Sequence, residues 1–251
     1  RDITSLKANL NIKKLNGENL LSENINISEV KSYCIKIEQI ISKKNIKEFT
    51  GTVEIEIFSE KNLFIPYPAI FVRYYGKNWH SGTHSTARYL TESSGDDISI
   101  INKVQYASES NMTLFAEKNL KCYIVLHNGL LDAEGLNVSL IATNHQYKKL
   151  KKKLKPVKMK KSETIILCVD DFLNYKEFLD GKRGMLTVDY QCKGVFPRIT
   201  YYHQRPGGEL SIEHSNFGLS VMSTKDTFVS KKNERNLIYS IPVLPKEYKT
   251  E

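Results

Sequence analysis

The sequence predicts an all-β protein built from two tandem antiparallel β-sandwich repeats. Short segments in which apolar and polar residues alternate are separated by turn residues every 8 to 12 residues or so, as in sandwich folds. Fourteen tyrosines and ten phenylalanines suit the half-buried surface of a pleated sheet. One stretch of the chain also occurs twice, which indicates that the two repeats arose by internal duplication.

The duplicated stretch lies at 64–90 and again at 195–220. In both copies a proline opens an alternating strand, a polar turn follows, and the return strand carries Ser-x-x-His-Ser. Three separate matches have offsets of 129 or 130 residues: Asn45 with Asn174, Pro68 with Pro197, and His84 with His214. We place the extra residue in the turn, where insertions are tolerated.

A chain of 251 residues accommodates two domains of ordinary size. We predict a first β-sandwich repeat at 1–97, a bridging segment at 98–119 and a second β-sandwich repeat at 120–251. The number and spacing of the strands resemble those of immunoglobulin-like and fibronectin-like domains. The Cys…Trp…Cys spacing of true immunoglobulin domains is absent.

In the first repeat, 6–15 alternates before an Asn16-Gly17 hairpin turn, and 33–37 reads as another strand. Residues 52–58 alternate strictly, so Val53 and the isoleucines are expected to face a core and the glutamates to face water. Residues 38–49 favour one or two helical turns.

The second repeat continues the same pattern. Residues 170–179 favour helical turns, and the segments around them predict strands at 122–127, 136–142, 164–169 and 185–190. The second repeat is therefore predicted to be a β-sandwich in which a short helical segment passes from one sheet to the other.

The four cysteines occur singly inside apolar runs, without a Cys-x-x-Cys pair. We interpret them as buried thiols in a reducing compartment, which favours a cytoplasmic location. No run approaches the ~18 apolar residues of a membrane span. Because the chain begins at Arg1, we expect other domains of a longer parent chain.

Nine lysines and no acid lie between Lys148 and Lys161, in a chain whose net charge is +9. One interpretation is a solvated, mobile hairpin whose charge protects a sheet edge. The other is an anion-binding arm that contacts nucleic acid, acidic glycan or anionic lipid by charge. The arm would use Lys148, Lys149, Lys151, Lys152, Lys153 and Lys155.

Side chains that can bind a ligand or act in catalysis are concentrated in the duplicated hairpins. We predict a ligand-binding groove there, in which aromatic rings stack on the ligand and arginine and histidine donate hydrogen bonds. Its candidate residues are Arg73, Tyr75, Trp79, His80, His84, Arg88, His203 and His214. Ser-x-x-His-Ser does not match the nucleophile motif of hydrolases, and a regular strand holds His80 and His84 ~13 Å apart, too far to bind one metal ion.

The leading functional prediction is a non-catalytic binding or accessory module for a polar, anionic ligand, with a glycan or polysaccharide ahead of nucleic acid. The first alternative is an enzyme, a hydrolase or a metal-dependent one, with a histidine-based site at the hairpins. The second is nucleic-acid binding through the lysine arm. We predict no cofactor, no bound metal and no catalytic residue.

Overall fold

The computed structural model of the chain describes residues 6–29, 31–59, 70–84, 104–193, 199–214 and 216–218. These residues form antiparallel sheets with two short α-helices and one turn of 3-10 helix. The predicted all-β class is therefore confirmed. Neither α-helix exceeds six residues, so within the described ranges no helix has the length to cross a lipid bilayer.

A three-stranded antiparallel sheet lies at the start of the chain. Its strands are β1 (Leu6–Lys14), β2 (Asn19–Ile25) and β3 (Gly51–Ser59), in the order β2-β1-β3. Helix α1 (Ile37–Ser42) packs its isoleucines against Leu10 and Ile12, which are fully buried. The alternation of β1 and β3 places one apolar face of the sheet under the helix.

The segment before α1 differs from the prediction. Residues 33–36 are irregular rather than a strand, and the helix begins at Ile37. The isoleucines at 37, 40 and 41 repeat at helical spacing, so a helix packs all three, partly buried, against the sheet. Cys34 consequently lies outside any strand and is exposed, contrary to the prediction of a buried thiol.

Residues 104–218 build a β-sandwich. Its five-stranded sheet has the order β10-β9-β13-β6-β16 and its four-stranded sheet the order β12-β7-β14-β15, with β8 and β11 paired separately. The strands are β6 (Val104–Phe115), β7 (Lys121–His127), β8 (Ala133–Leu136), β9 (Val138–Thr143), β10 (Lys149–Lys153), β11 (Val157–Met159), β12 (Thr164–Cys168), β13 (Arg183–Lys193), β14 (Thr200–Gln204), β15 (Leu210–His214) and β16 (Asn216–Gly218). Buried side chains from both sheets form one core that includes Met112, Ile124, Leu140 and Leu186.

Strand β6 falls inside the predicted bridging segment but is an inner strand of the five-stranded sheet. Met112 and Leu114 are fully buried in the core. The pairing register of β6 with β13 shifts between Leu186 and Val188, so two residues of β6 lie opposite one residue of β13. Such a bulge resets the alternation of side chains, which is why the sequence shows no clean period here.

The predicted helical turns at 170–179 are confirmed. A 3-10 turn (Val169–Asp171) leads into helix α2 (Tyr175–Leu179). The Asp170 carboxylate accepts hydrogen bonds from the Cys122 backbone N–H at 3.0 Å and from the Tyr175 hydroxyl at 3.1 Å. It also pairs with the Lys176 ammonium at 2.5 Å. These polar contacts hold the helical segment 169–179 against the sandwich.

Candidate binding surface on the first hairpin

Strands β4 (Phe71–Tyr75) and β5 (His80–His84) form an antiparallel hairpin. Phe71 pairs with His84, Arg73 with Gly82, and Tyr75 with His80. Because side chains alternate along a strand and directly paired residues share a side of the sheet, all six lie on one face. We call this surface, made by Phe71, Arg73, Tyr75, His80, Gly82 and His84, the hairpin face.

The hairpin face presents two aromatic rings with an arginine between them. Phe71 is 65% exposed and Tyr75 is 62% exposed, although both are aromatic. A Cβ atom added at Gly82 would lie 2.7 Å from the Phe71 ring, so the absence of a side chain at Gly82 allows this ring to lie across both strands. The result is an exposed aromatic and cationic strip along β4.

A hydrogen bond fixes one end of this strip. The Tyr75 hydroxyl donates to a Glu38 carboxylate oxygen at 2.5 Å, which joins the hairpin to the first turn of α1. The bond lowers the pKa of Glu38 and raises the pKa of Tyr75. The phenol is therefore oriented by the helix, while its ring stays open to solvent.

Trp79, predicted to contact the ligand, lies beside the turn of the hairpin. Its side chain is half-buried and packs on the turn at Gly76, where an added Cβ would lie 2.2 Å from the indole Nε1 atom. Trp79 therefore stabilises the turn. His80 is exposed on the hairpin face, and Arg88, the remaining predicted member of this group, lies outside the described residues.

The second copy of the motif lies directly beside the first. In β14 and β15, Thr200 pairs with His214 just as Phe71 pairs with His84, and each hairpin has five paired positions. The rings of His84 and His214 are in contact, with centroids 4.0 Å apart. The two predicted histidines are therefore brought together, and they lie at the junction between the hairpins.

Ser81, the first serine of the motif in β5, connects the two hairpins by hydrogen bonds. The Ser81 Oγ atom accepts a hydrogen bond from the Ile212 N–H at 2.8 Å and donates to the Ile212 carbonyl at 3.2 Å. One hydroxyl thus bonds both backbone groups of a residue on the neighbouring strand. The Ser-x-x-His-Ser pattern in the sequence does not indicate this bridge.

We expect Ser81→Ala to lower the free energy of unfolding by about 1 to 3 kcal/mol, because the Ile212 amide and carbonyl would lose their partner. Urea denaturation measures the change. Ser211→Ala is the matched control, since this serine of the second motif is exposed. Equal losses in the two variants would contradict the bridging role of Ser81.

His203 does not belong to the hairpin face. It is 6% exposed, and its ring packs edge-on against Phe115 at 5.2 Å and Tyr201 at 5.9 Å. Burial lowers its pKa. The second hairpin is part of the sandwich and turns one side inward, so a residue that the sequence placed in a groove lies in the interior.

The predicted lysine arm is an ordered edge strand. Strand β10 pairs with β9 along its whole length, and Leu150 packs against the sandwich core. The six lysines of the predicted arm are all exposed: Lys148, Lys149, Lys151, Lys152, Lys153 and Lys155. Among the described residues none of the six has a carboxylate within ion-pair distance, whereas Lys158 nearby pairs with Glu134 at 2.7 Å.

Across the part of the chain that the structure describes, no three His, Cys, Asp or Glu side chains are placed to share a metal ion. Comparison with known protein families, curated proteins and solved structures finds no significant match. The function proposed below is therefore derived from the chain's own residues.

Proposed function

We propose that the chain is a non-catalytic binding module whose hairpin face binds an acidic polysaccharide. The observation that supports this most directly is the exposure of Phe71 and Tyr75 on either side of Arg73. Aromatic faces stack on the apolar faces of sugar rings, and a guanidinium forms paired hydrogen bonds with a carboxylate. A uronic acid polymer presents both features in one chain.

The dimensions of the strip suit an extended ligand. Phe71 and Tyr75 are four residues apart on one strand, which is ~13 Å at ~3.3 Å per residue. That length accommodates more than one sugar ring, with Arg73 placed between the two stacking positions. The exposed His80 adds a hydrogen-bonding group on the neighbouring strand.

Comparison of the two hairpins indicates which side chains the hairpin fold does not require. At the positions of Phe71 and Tyr75 the second hairpin has Thr200 and Gln204, in the same pairing register. The hairpin frame is therefore compatible with small or polar residues there. Exposed aromatic side chains add little to the core, so the two rings on the first hairpin are better explained by a ligand.

Combined substitution Phe71→Ala, Arg73→Gln and Tyr75→Ala is expected to weaken binding of polygalacturonate at least tenfold, because stacking and charge pairing are both lost. Affinity electrophoresis in gels that contain this polymer measures the change. A gel with neutral hydroxyethyl cellulose tests the contribution of the acid group, and Arg73→Gln alone is expected to reduce the preference for the acidic polymer.

Phe58→Ala is the control, because Phe58 is another exposed aromatic residue, on β3. It should leave retention unchanged. Equal retention of the wild type and the triple variant in both gels would contradict the proposal. Thermal unfolding of each variant establishes that a loss of binding is not a loss of fold.

We also propose that the two hairpins derive from one duplicated, immunoglobulin-like unit. The shared register supports this, as does the turn length, which is four residues in the first hairpin and five in the second. The match of Asn45 with Asn174 gives no support, because Asn45 follows α1 whereas Asn174 precedes α2. Pro68 and Pro197 lie outside the described residues.

The second candidate function is a metal-dependent enzyme, and the contact between His84 and His214 is the observation in its favour. Histidines His80, His84 and His214 would supply its ligands or its acid and base. Elemental analysis of the purified protein distinguishes the candidates. Stoichiometric zinc, iron or manganese that is lost in His84→Ala would favour the enzyme.

A further inference from the structure

The exposed edge of the sandwich carries a linear row of positive charge. Lys149, Lys151 and Lys153 alternate along β10 and so point to one side of the sheet, at intervals of roughly 6.6 Å. Leu150 and Leu154 hold the strand to the core from the other side. The lysines are thus fixed in a line by an ordered backbone.

The turn that precedes this strand presents one aromatic ring to solvent. Tyr147 is 86% exposed, the largest exposure among the large apolar side chains of the described residues. Its backbone has a φ of 60°, in the left-handed region that favours glycine. A bulky side chain at such a position is an outlier and costs on the order of 1 kcal/mol.

The turn does not depend on the tyrosine. The Asn144 side-chain oxygen accepts hydrogen bonds from the backbone N–H groups of Gln146 and Lys148, both at 3.0 Å. The Tyr147 N–H donates to the Asn144 carbonyl at 2.9 Å, as any residue at this position would. The ring therefore adds nothing to the fold at a position where glycine is better suited.

We propose that the β9–β10 hairpin binds single-stranded nucleic acid, with a base stacked on Tyr147 and successive phosphates paired with Lys149, Lys151 and Lys153. Proteins that bind single strands combine a positive track for the backbone with aromatic rings on which bases stack. The hairpin places both features in sequence along one edge. This site is separate from the hairpin face and does not depend on the function proposed for it.

The lysines and Tyr147 have complementary roles in this proposal. Lysine binds a phosphate as a point charge, and the tyrosine ring offers a stacking face for a base. Residues 148–155 contain six lysines and two leucines and no arginine. Edge protection alone would explain scattered lysines, but it gives no reason for an exposed tyrosine in a strained conformation.

Fluorescence anisotropy with a labelled single-stranded DNA of about twelve nucleotides tests the proposal. Three phosphate contacts predict that log Kobs falls with log salt concentration with a slope of about −2. The variant Lys149→Gln, Lys151→Gln and Lys153→Gln should weaken binding more than tenfold and remove most of this slope. The matched control Lys44→Gln, Lys47→Gln and Lys121→Gln removes the same charge from exposed positions elsewhere and should retain the slope.

The variant Tyr147→Gly tests the stacking contact without lowering the stability of the fold. We expect about tenfold weaker binding with an unchanged salt slope, while the melting temperature stays equal or rises because the strained residue is gone. A duplex of the same sequence should bind less tightly than the single strand. The proposal is overturned if the lysine variant binds as the wild type does, if Tyr147→Gly leaves affinity unchanged, or if heparin or anionic vesicles bind and the oligonucleotide does not.

Discussion

Lys13→Met is expected to lower the free energy of unfolding by about 3 to 5 kcal/mol, the loss typical of a broken buried ion pair. The Lys13 ammonium lies 2.6 Å from a Glu54 carboxylate oxygen, and the two side chains are only 13% and 11% exposed. Lys13 also donates to the Ser162 hydroxyl at 3.0 Å. Without the ammonium, the Glu54 carboxylate remains largely desolvated, with the His127 ring 3.9 Å away as its nearest remaining basic group. Urea denaturation measures the loss.

Two further variants test whether the loss of stability comes from the Lys13–Glu54 ion pair. The double variant Lys13→Met with Glu54→Leu should recover most of the stability, because an apolar pair of similar volume avoids the cost of desolvating two charges. Lys158→Met removes a lysine from a pair with nearly the same distance, 2.7 Å, but with both side chains about three-quarters exposed. It should produce no measurable change. A double variant less stable than Lys13→Met would contradict the interpretation.

The buried pair belongs to a polar cluster that joins the first sheet to the sandwich. The hydroxyls of Thr52 and Thr164 lie 2.6 Å apart, and His127 Nδ1 lies 2.8 Å from the Thr164 hydroxyl. The Thr164 N–H donates to the Leu15 carbonyl at 2.8 Å. The end of β1 and the start of β3 are thus bonded to β7 and β12, so an altered residue in the cluster affects both parts of the fold.

The sequence predicted individual strands well, because alternation is a local property. Residues 52–58 were expected to form a strand, and β3 spans Gly51–Ser59. Which residues face solvent was predicted only in part. Glu56 is exposed as expected, but the Glu54 side chain is only 11% exposed, beside Lys13 and His127, and Val53, expected to face a core, is 38% exposed. His127, one of its neighbours, lies 73 residues further along the chain (127 − 54), and alternation carries no information about such a contact.

The candidate site, too, could be predicted only in part from the sequence. The two similar sequence stretches each form a hairpin, and the second turn is one residue longer than the first, as expected. Which side of each hairpin is covered depends on neighbouring sheets, so His203 was placed in a groove although it lies in the core. Phe71 was not predicted, because nothing in the local sequence distinguishes an exposed phenylalanine from one in a core. Its exposure is a property of the fold.

The stability of the protein is expected to fall as the pH is lowered from about 6.5 towards 4, with His127 as a main cause. Burial lowers the pKa of His127 to about 4, against a partial opposing effect of the Glu54 carboxylate. An unfolded histidine titrates near 6.5. Between these values the unfolded chain binds a proton that the folded protein does not, so the free energy of unfolding decreases with falling pH. The full contribution, present above pH 6.5, is about 3 kcal/mol.

Urea denaturation of the wild type and His127→Gln at a series of pH values between 7 and 4.5 measures this contribution as a difference in slope. The variant lacks the titrating group, so its stability should decline less steeply. The slope should not vanish, because burial also lowers the pKa of His203 and acts in the same direction. His145→Gln is the control, since His145 is an exposed histidine. If His127→Gln and the wild type lose stability in parallel, His127 is not held neutral by the fold, and the decline must come from other groups.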